Sequence, residues 1–557
     1  MPKFNCPDNI IQIFNRMLEI NSNDKIEGFV KKHINCKIYS YHQINIFIQL
    51  FISKYNKFKS KLTFLNEGKD VTEKCIEEFA KCTQYFTNGG FAQLLTTIDN
   101  NNEEKDYIDK LSEIYDNDLK NMKFKDPLIF IIKEKNLYNE LFIPSKDSIE
   151  YKNSINRSSK DYLQRIKEIL NLPNEVEKDE GEYVSLLSII EEKNNNYVIT
   201  NDNFKKMVLL LYRITANIPV IIMGDTGCGK TALIIKLNQI LNNGKTTVEK
   251  IDINPGITDE KLCKIMEEKN ELAQKQKEKD LWLFFDEINT CLSLSLITEI
   301  FINRSYNGNK ISENIRLIGA CNPYRKRKGN KEKFGLSMSD DNENELVYLV
   351  QPLPQSLLYY VFSFGSIDEN DEKKYIHSII EKLFTEDEKS LHQFTRDVIS
   401  QCNIYLREKF DPSVVSLREL ARFSKCIEYF KHYFTIKNKY EKRENNEKNN
   451  KIRSIICSIY LNYYIRLTDN KIRSNFESIL RPILLKLINN EEKIEEKDGN
   501  LMEKIKNEEL KNEIYFRSEE INDFSDFLKI EQEYLINQIE LDKGIGKNTL
   551  LKENVFL

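Results

Sequence analysis

Residues Ile218 to Leu241 read IPVIIMGDTGCGKTALIIKLNQIL. An apolar run ends at Gly224, passes through Asp225-Thr226-Gly227-Cys228-Gly229-Lys230-Thr231, and gives way to an amphipathic segment. Short apolar runs of this kind predict a strand buried on both faces, followed here by a helix. The spacing G-x-x-x-x-G-K-[ST] between strand and helix suits phosphate. Glycines let the main chain wrap closely, while successive N–H groups and the helix N-terminus form a positive concavity. In that reading Gly224 to Thr231 contact the nucleotide, Lys230 bridges the β- and γ-phosphates of ATP, and the Thr231 hydroxyl ligates Mg²⁺. A glycine-rich turn without a ligand is the plain alternative, and the flanking strand and helix weigh against it.

Outward from this loop the pattern repeats. Between about 196 and 355 the runs PVIIMG, VEKIDI, LWLFF, IRLIGA and VYLV alternate with helical segments, which predicts a parallel sheet covered on both faces. LWLFF ends in Asp286-Glu287, about 55 residues beyond Lys230. Carboxylates at the C-terminal end of a buried strand lie where ligands gather in doubly wound folds. Asp286 is expected to hold Mg²⁺ and Glu287 to polarise the attacking water. IRLIGAC ends in Asn322-Pro323, which by itself reads as an amide capping a turn.

The rest of the chain narrows the class. Of 557 residues, Lys and Arg number 83 and Asp and Glu 87, so the net charge of −4 supplies no polycationic field, and nucleic acid is an unexpected partner. Eleven Cys occur without a C-x-x-C pair, which points to reduced thiols in a cytoplasmic protein rather than zinc or disulfides. No membrane span is expected, because Arg213, Asn217 and Pro219 divide MVLLLYRITANIPVIIMG. Helical periodicity in 1–190, as in Tyr41 to Leu50 and Thr72 to Phe86, predicts an all-helical leading region. The expected domains are then 191–355 for the large α/β unit, 356–436 for a small helical lid, and 437–557 for a further helical linker that begins with a polar tract.

A glycine loop, a strand ending Asp-Glu and a strand ending Asn together resemble the AAA+ ATPases. That resemblance implies an α/β P-loop NTPase core with a helical lid, flanked by helical regions, in which the Asn-bearing strand lies between the other two. It implies that Asn322 positions the lytic water and that Arg418, in DPSVVSLRELARF, reaches the nucleotide from the lid. Arg304 and Arg325 are competing candidates for an arginine finger acting on a neighbouring module's ATP; each has an ordinary alternative as a solvated charge. Ile253 to Thr258 falls where AAA+ proteins carry insertions facing a central channel.

GDTGCGKT, LFFDEINT, GACNPYRK, QPLPQSL and the stretch Ser40 to Leu95 are more narrowly similar to the mysterin-type giant RING-finger E3 ubiquitin ligases, which carry a dynein-like array of AAA+ modules. The resemblance implies one Mg-ATP-hydrolysing module whose partners are adjacent AAA+ modules of the same polypeptide. A ubiquitin-conjugating enzyme would be engaged only through regions outside this sequence, since no Cys/His-rich RING segment or second glycine loop is present in it. The chain reads as a fragment of such a ligase rather than a short paralogue. The rival functions are a structural ATP-binding module with little turnover and an AAA+ motor acting on another client, nucleic acid included.

Overall fold

The computed structural model describes residues 45–50, 129–133, 138–142, 159–170, 175–177, 183–185, 197–242, 246–276, 279–325, 346–365, 369–385, 388–410, 414–440, 447–467 and 469–489. Their contacts divide the chain into two units. The first comprises 1–331, 339–379 and 415–421, and the second 332–338, 380–414 and 422–557. The expected helix at Thr72 to Phe86, the run that follows Arg325 and the C-terminal GIGKNTLLKENVFL lie outside the described residues.

The first unit is built on a five-stranded parallel sheet. Ahead of it in the chain come β1 (Ile129–Lys133), β2 (Tyr138–Phe142), α1 (Ser159–Leu170), β3 (Glu175–Glu177), β4 (Tyr183–Ser185) and α2 (Asn201–Thr215). The sheet strands are β5 (Val220–Gly224), β6 (Val248–Asp252) and β7 (Leu281–Asp286), then β10 (Ile315–Cys321) and β11 (Val361–Gly365). A two-residue-per-strand hairpin, β8 (Ser305–Tyr306) with β9 (Asn309–Lys310), stands apart from the sheet. Sheet order is β11-β5-β10-β7-β6, so the strand ending at Asn322 lies between the two other motif strands, as the family resemblance implied.

Burial explains the order. Every residue of β5 is buried, as are the first five of β7 and all but Arg316 of β10, so these three form the middle of the sheet. Only Ile251 of β6 is buried, which suits an edge strand. Ile318 of β10 pairs with Val220 on one side and Phe284 on the other, and this register brings the three C-terminal strand ends to one edge. The connecting helices α3 (Lys230–Leu241) and α4 (Asp259–Lys275) pack Leu233, Ile234, Leu237, Leu262 and Met266 into the same core. Thr258 caps α4 by accepting from the Lys261 amide at 3.3 Å.

Three sequence expectations need correction. VYLV (347–350) forms no sheet strand; the fifth strand is VFSFG, which pairs with β5 and carries the core beyond residue 355. Its start is held by Arg213, 1% exposed at the end of α2, whose guanidinium donates to the Tyr360 carbonyl at 3.3 Å. The leading region is not purely helical, because β1 pairs with β2 and β3 with β4, both antiparallel. After α4 the chain forms α5 (Leu294–Thr298), α6 (Gln355–Leu358) and α7 (Glu369–Leu383), and the third correction concerns the second unit, which contains α8 (Lys389–Lys409), most of α9 (Leu417–Tyr440), α10 (Glu447–Asn462) and α11 (Asn470–Asn489). There is no break at 437: α9 runs through it, Lys451 of α10 pairs with Glu388 at 2.8 Å, and Tyr405 of α8 donates to the Ile472 carbonyl at 2.8 Å. Lid and linker helices therefore share one apolar interior, which includes Leu406, Phe423, Tyr463 and Phe476.

Candidate functional site

The motif residues meet at the C-terminal edge of the sheet. Gly227 and Gly229 have φ of +75° and +99°, left-handed values that a side chain disfavours, and they turn the chain from β5 into α3. A Cβ on Gly227 would lie 2.3 Å from the Ser416 hydroxyl and 3.4 Å from Cγ of Arg418, so the start of α9 rests directly on the loop. Lys230 is 9% exposed. Its ammonium donates to the Gly224 carbonyl at 2.6 Å, the Asp225 carbonyl at 3.0 Å and Oδ1 of Asn322 at 3.2 Å. The Thr226 hydroxyl reaches the same Asn322 oxygen at 3.5 Å. The Thr231 hydroxyl donates to Oδ2 of Asp286 at 3.4 Å. Side chains of the loop and the start of α3 thus bond to the groups that end two neighbouring strands, Lys230 and Thr226 to the Asn322 amide and Thr231 to the Asp286 carboxylate.

Glu287 is exposed and adopts a left-handed backbone, φ 58° and ψ 39°. A non-glycine residue there costs free energy unless its surroundings hold it, and such residues cluster at functional sites. Here the Thr290 amide and hydroxyl donate to the Glu287 carbonyl at 3.0 and 2.9 Å, and the Ile253 amide donates to the Asp286 carbonyl at 3.1 Å. Cys228 is buried, which pushes its thiol above the usual range despite the nearby Lys230 and Lys206.

Three residues of this site carried no signal in the sequence. Asn289, 1% exposed, makes a two-point tie to the backbone of Asn322: its Nδ2 donates to the Asn322 carbonyl at 2.7 Å, and its Oδ1 accepts from the Asn322 amide at 3.3 Å. Tyr348 donates its hydroxyl to Asp225 at 3.1 Å and accepts from the Thr226 amide at 3.4 Å. Lys250 of β6 lies 3.1 Å from Oδ2 of Asp286 and 2.5 Å from Asp252. The Asp252 hydrogen bond first, and then the Asp286 hydrogen bond and the two carboxylate charges, hold its ammonium above the usual lysine range against the opposing effect of burial. Nothing in the spacing of an edge strand could have identified it; only the β6–β7 register sets it beside the acid.

The arginine candidates separate. Arg418 is exposed, and its backbone amide donates to the Ser416 hydroxyl at 3.3 Å while its stem lies over Gly227. Arg304 is committed inside its own unit: its guanidinium donates to Asn217 at 3.0 Å and to the Ser312 and Ile315 carbonyls at 3.0 and 2.9 Å. Burial draws it down to about 10. These three bonds make Arg304 a clamp within its own unit in this structure. Arg325 is 3% exposed and lies 6.0 Å over the Tyr348 ring, turned toward this unit's own loop. Ile253 to Thr258 forms the turn that enters α4.

The residues present fit a Mg-nucleotide. The loop glycines hold the left-handed backbone that a phosphate-wrapping turn needs, and the Thr231 hydroxyl and Asp286 carboxylate supply the oxygen donors that Mg²⁺ prefers. No group of three or more His, Cys, Asp or Glu among the described residues could hold a metal ion. No helix among them is long and apolar enough to cross a membrane.

Comparison with known proteins agrees with this geometry. The family model described as the RNF213 AAA domain matches residues 197–325. The chain is 28% identical over 389 residues to E3 ubiquitin-protein ligase rnf213-beta of Danio rerio, covering 65% of this chain and 7% of that protein. It is 31% identical over 264 residues to E3 ubiquitin-protein ligase RNF213 of Homo sapiens, covering 43% of this chain and 5% of that one. The Mus musculus RNF213 is 31% identical over 298 residues, 48% of this chain and 6% of the relative. The chain therefore spans only a small part of the length of these relatives. The matched segment takes in four of the five sheet strands and carries the glycine loop, Asp286 and Asn322, so this part of the chain is similar to an RNF213 AAA domain.

Proposed function

We propose that this domain binds Mg-ATP at the Gly224–Thr231 loop and hydrolyses it, and that its nucleotide state moves linked modules of a larger RNF213-like E3 ubiquitin ligase. The observation that supports this best is the convergence of Lys230, Thr231, Asp286 and Asn322 from three adjacent strands onto one edge. Main-chain amides of the loop would bind the phosphates. Lys230 would exchange its carbonyl partners for phosphate oxygens, and Thr231 and Asp286 would hold the metal. Bound Mg²⁺ would neutralise charge on the phosphates. Glu287, held outward by its left-handed backbone, would accept a proton from the attacking water, and Asn322 would orient that water through its amide. Arg418 would read the phosphates from the start of α9. Ubiquitin transfer, a conjugating-enzyme partner and neighbouring AAA+ modules belong to the longer protein in this reading. A cytoplasmic setting is in keeping with the seven described cysteines, all free thiols.

Bound nucleotide and released phosphate, measured together on two variants, test the reading. Lys230→Ala is expected to weaken binding strongly, and Glu287→Gln to trap ATP with little phosphate released. Tight binding without turnover in the unmodified protein, unaltered by Glu287→Gln, would favour a structural nucleotide module instead.

A further inference from the structure

Lys250 stands at the metal side of this site with two carboxylates to choose from. It lies on β6 two residues before Asp252, so both side chains project from the same face of the strand. The parallel register sets Asp252 opposite Asp286 of β7. The ammonium lies between them, 2.5 Å from Asp252 and 3.1 Å from Oδ2 of Asp286. That same Oδ2 accepts from the Thr231 hydroxyl. The two groups expected to hold Mg²⁺ are therefore tied together, and their shared oxygen is neutralised by a cation supplied by the protein. Side-chain exposure rises outward, 19% for Asp286, 44% for Lys250 and 73% for Asp252, so the lysine can swing toward water without leaving a partner.

We propose that Lys250 is a tethered cation that competes with Mg²⁺ for Asp286, neutralising that carboxylate in the metal-free site and withdrawing to Asp252 when the metal enters. This rests on the Mg-nucleotide reading above and adds a residue that sets the metal dependence. A divalent ion beside Asp286 repels a lysine ammonium held at the same oxygen, so occupation by one disfavours the other. Asp252 makes the exchange possible by giving the displaced charge a second carboxylate. Without Lys250 the acid would remain uncompensated and take the metal more readily. Without Asp252 the lysine would hold Asp286 more persistently.

The test is a Mg²⁺ titration of fluorescent ADP binding to the full chain, read as the metal concentration at half-maximal binding. Lys250→Met is expected to lower that concentration about three- to tenfold, Asp252→Asn to raise it, and Lys250→Arg to keep it near the unmodified value. The opposite directions of the first two variants separate competition from a general loss of folding, which would weaken binding in both. An unchanged or raised half-point in a folded Lys250→Met, or an unchanged or lowered one in Asp252→Asn, would overturn the proposal. Normal nucleotide binding with such a result leaves the ATP reading standing. Absence of nucleotide binding by the unmodified protein at every Mg²⁺ concentration would overturn both.

Discussion

Lys230 donates to three oxygens at the mouth of the glycine loop, and its removal would leave the Asn322 amide oxygen without that donor. Loss of a charge-assisted contact to phosphate is worth roughly 1.5–3 kcal/mol, so Lys230→Ala is expected to weaken ATP binding by about ten- to a hundredfold in a calorimetric titration. Gly227→Ala attacks the same loop by shape. The new methyl would meet Ser416 at 2.3 Å in a backbone of φ +75°, and about 1–2 kcal/mol of destabilisation is expected from the left-handed backbone alone. A lower unfolding midpoint in denaturant would show it. Asn289 offers a finer test. Asn289→Ala removes both ties to the Asn322 backbone, and phosphate release is expected to fall more than nucleotide affinity, because the lysine and loop amides stay in place. An equal loss in both would show that Asn289 merely supports the fold.

At the scale of elements, the segment from Glu299 to Lys310 shows how a local device replaces a long strand. Glu299 accepts from the Ser305 hydroxyl at 2.8 Å and the Gly308 amide at 3.1 Å, which closes the β8–β9 hairpin. The Gly308 and Ser305 hydrogen bonds hold its carboxyl below the ordinary 4.5. A depressed carboxylate contributes stability that is present above the unfolded value and lost as pH falls through the folded one. The thermal midpoint of the unmodified protein is therefore expected to fall more steeply below about pH 4.5 than that of Glu299→Gln, and parallel acid limbs would refute this. Arg304 belongs to the same device, since its guanidinium fastens the hairpin base to the start of β10.

At the scale of the whole molecule, the lone tryptophan separates the two units experimentally. Trp282 is 3% exposed in β7, inside the unit that carries the glycine loop, whereas the helices of the second unit have none. Its fluorescence on denaturation should report the sheet, while far-ultraviolet circular dichroism reports both units. Mg-ATP binding only the folded site raises the stability of that state, so nucleotide is expected to shift the fluorescence transition to higher denaturant. An unmoved transition at saturating nucleotide would refute a site on this sheet.

How much was legible follows from what each signal depends on. Gly224 to Thr231 and Asp286 stood out because an apolar run, a stop and a residue type suited to phosphate or metal are local features, whereas Asn322 by itself read as a turn cap and gained its expected role only from the family resemblance. The parallel sheet was legible for the same reason, since strands buried on both faces are apolar throughout. β11 was displaced in the reading because VFSFG and VYLV are alike in local composition, and only pairing with β5 chooses between them. Before residue 190, β2, β3 and β4 have no such apolar run, and β1, IFIIK, is too short a run to be told from a helical segment without its partner; burial in a shared helical interior joins α9 to α10 across the polar tract at 437. The sequence by itself determined the fold class and the local pattern of the loop, because both are written in the order of near neighbours along the chain. Only the tertiary structure decided that Arg304 clamps a hairpin, that Asn289 braces Asn322 and that Lys250 faces Asp286, because those partners lie tens of residues away and register alone brings them together.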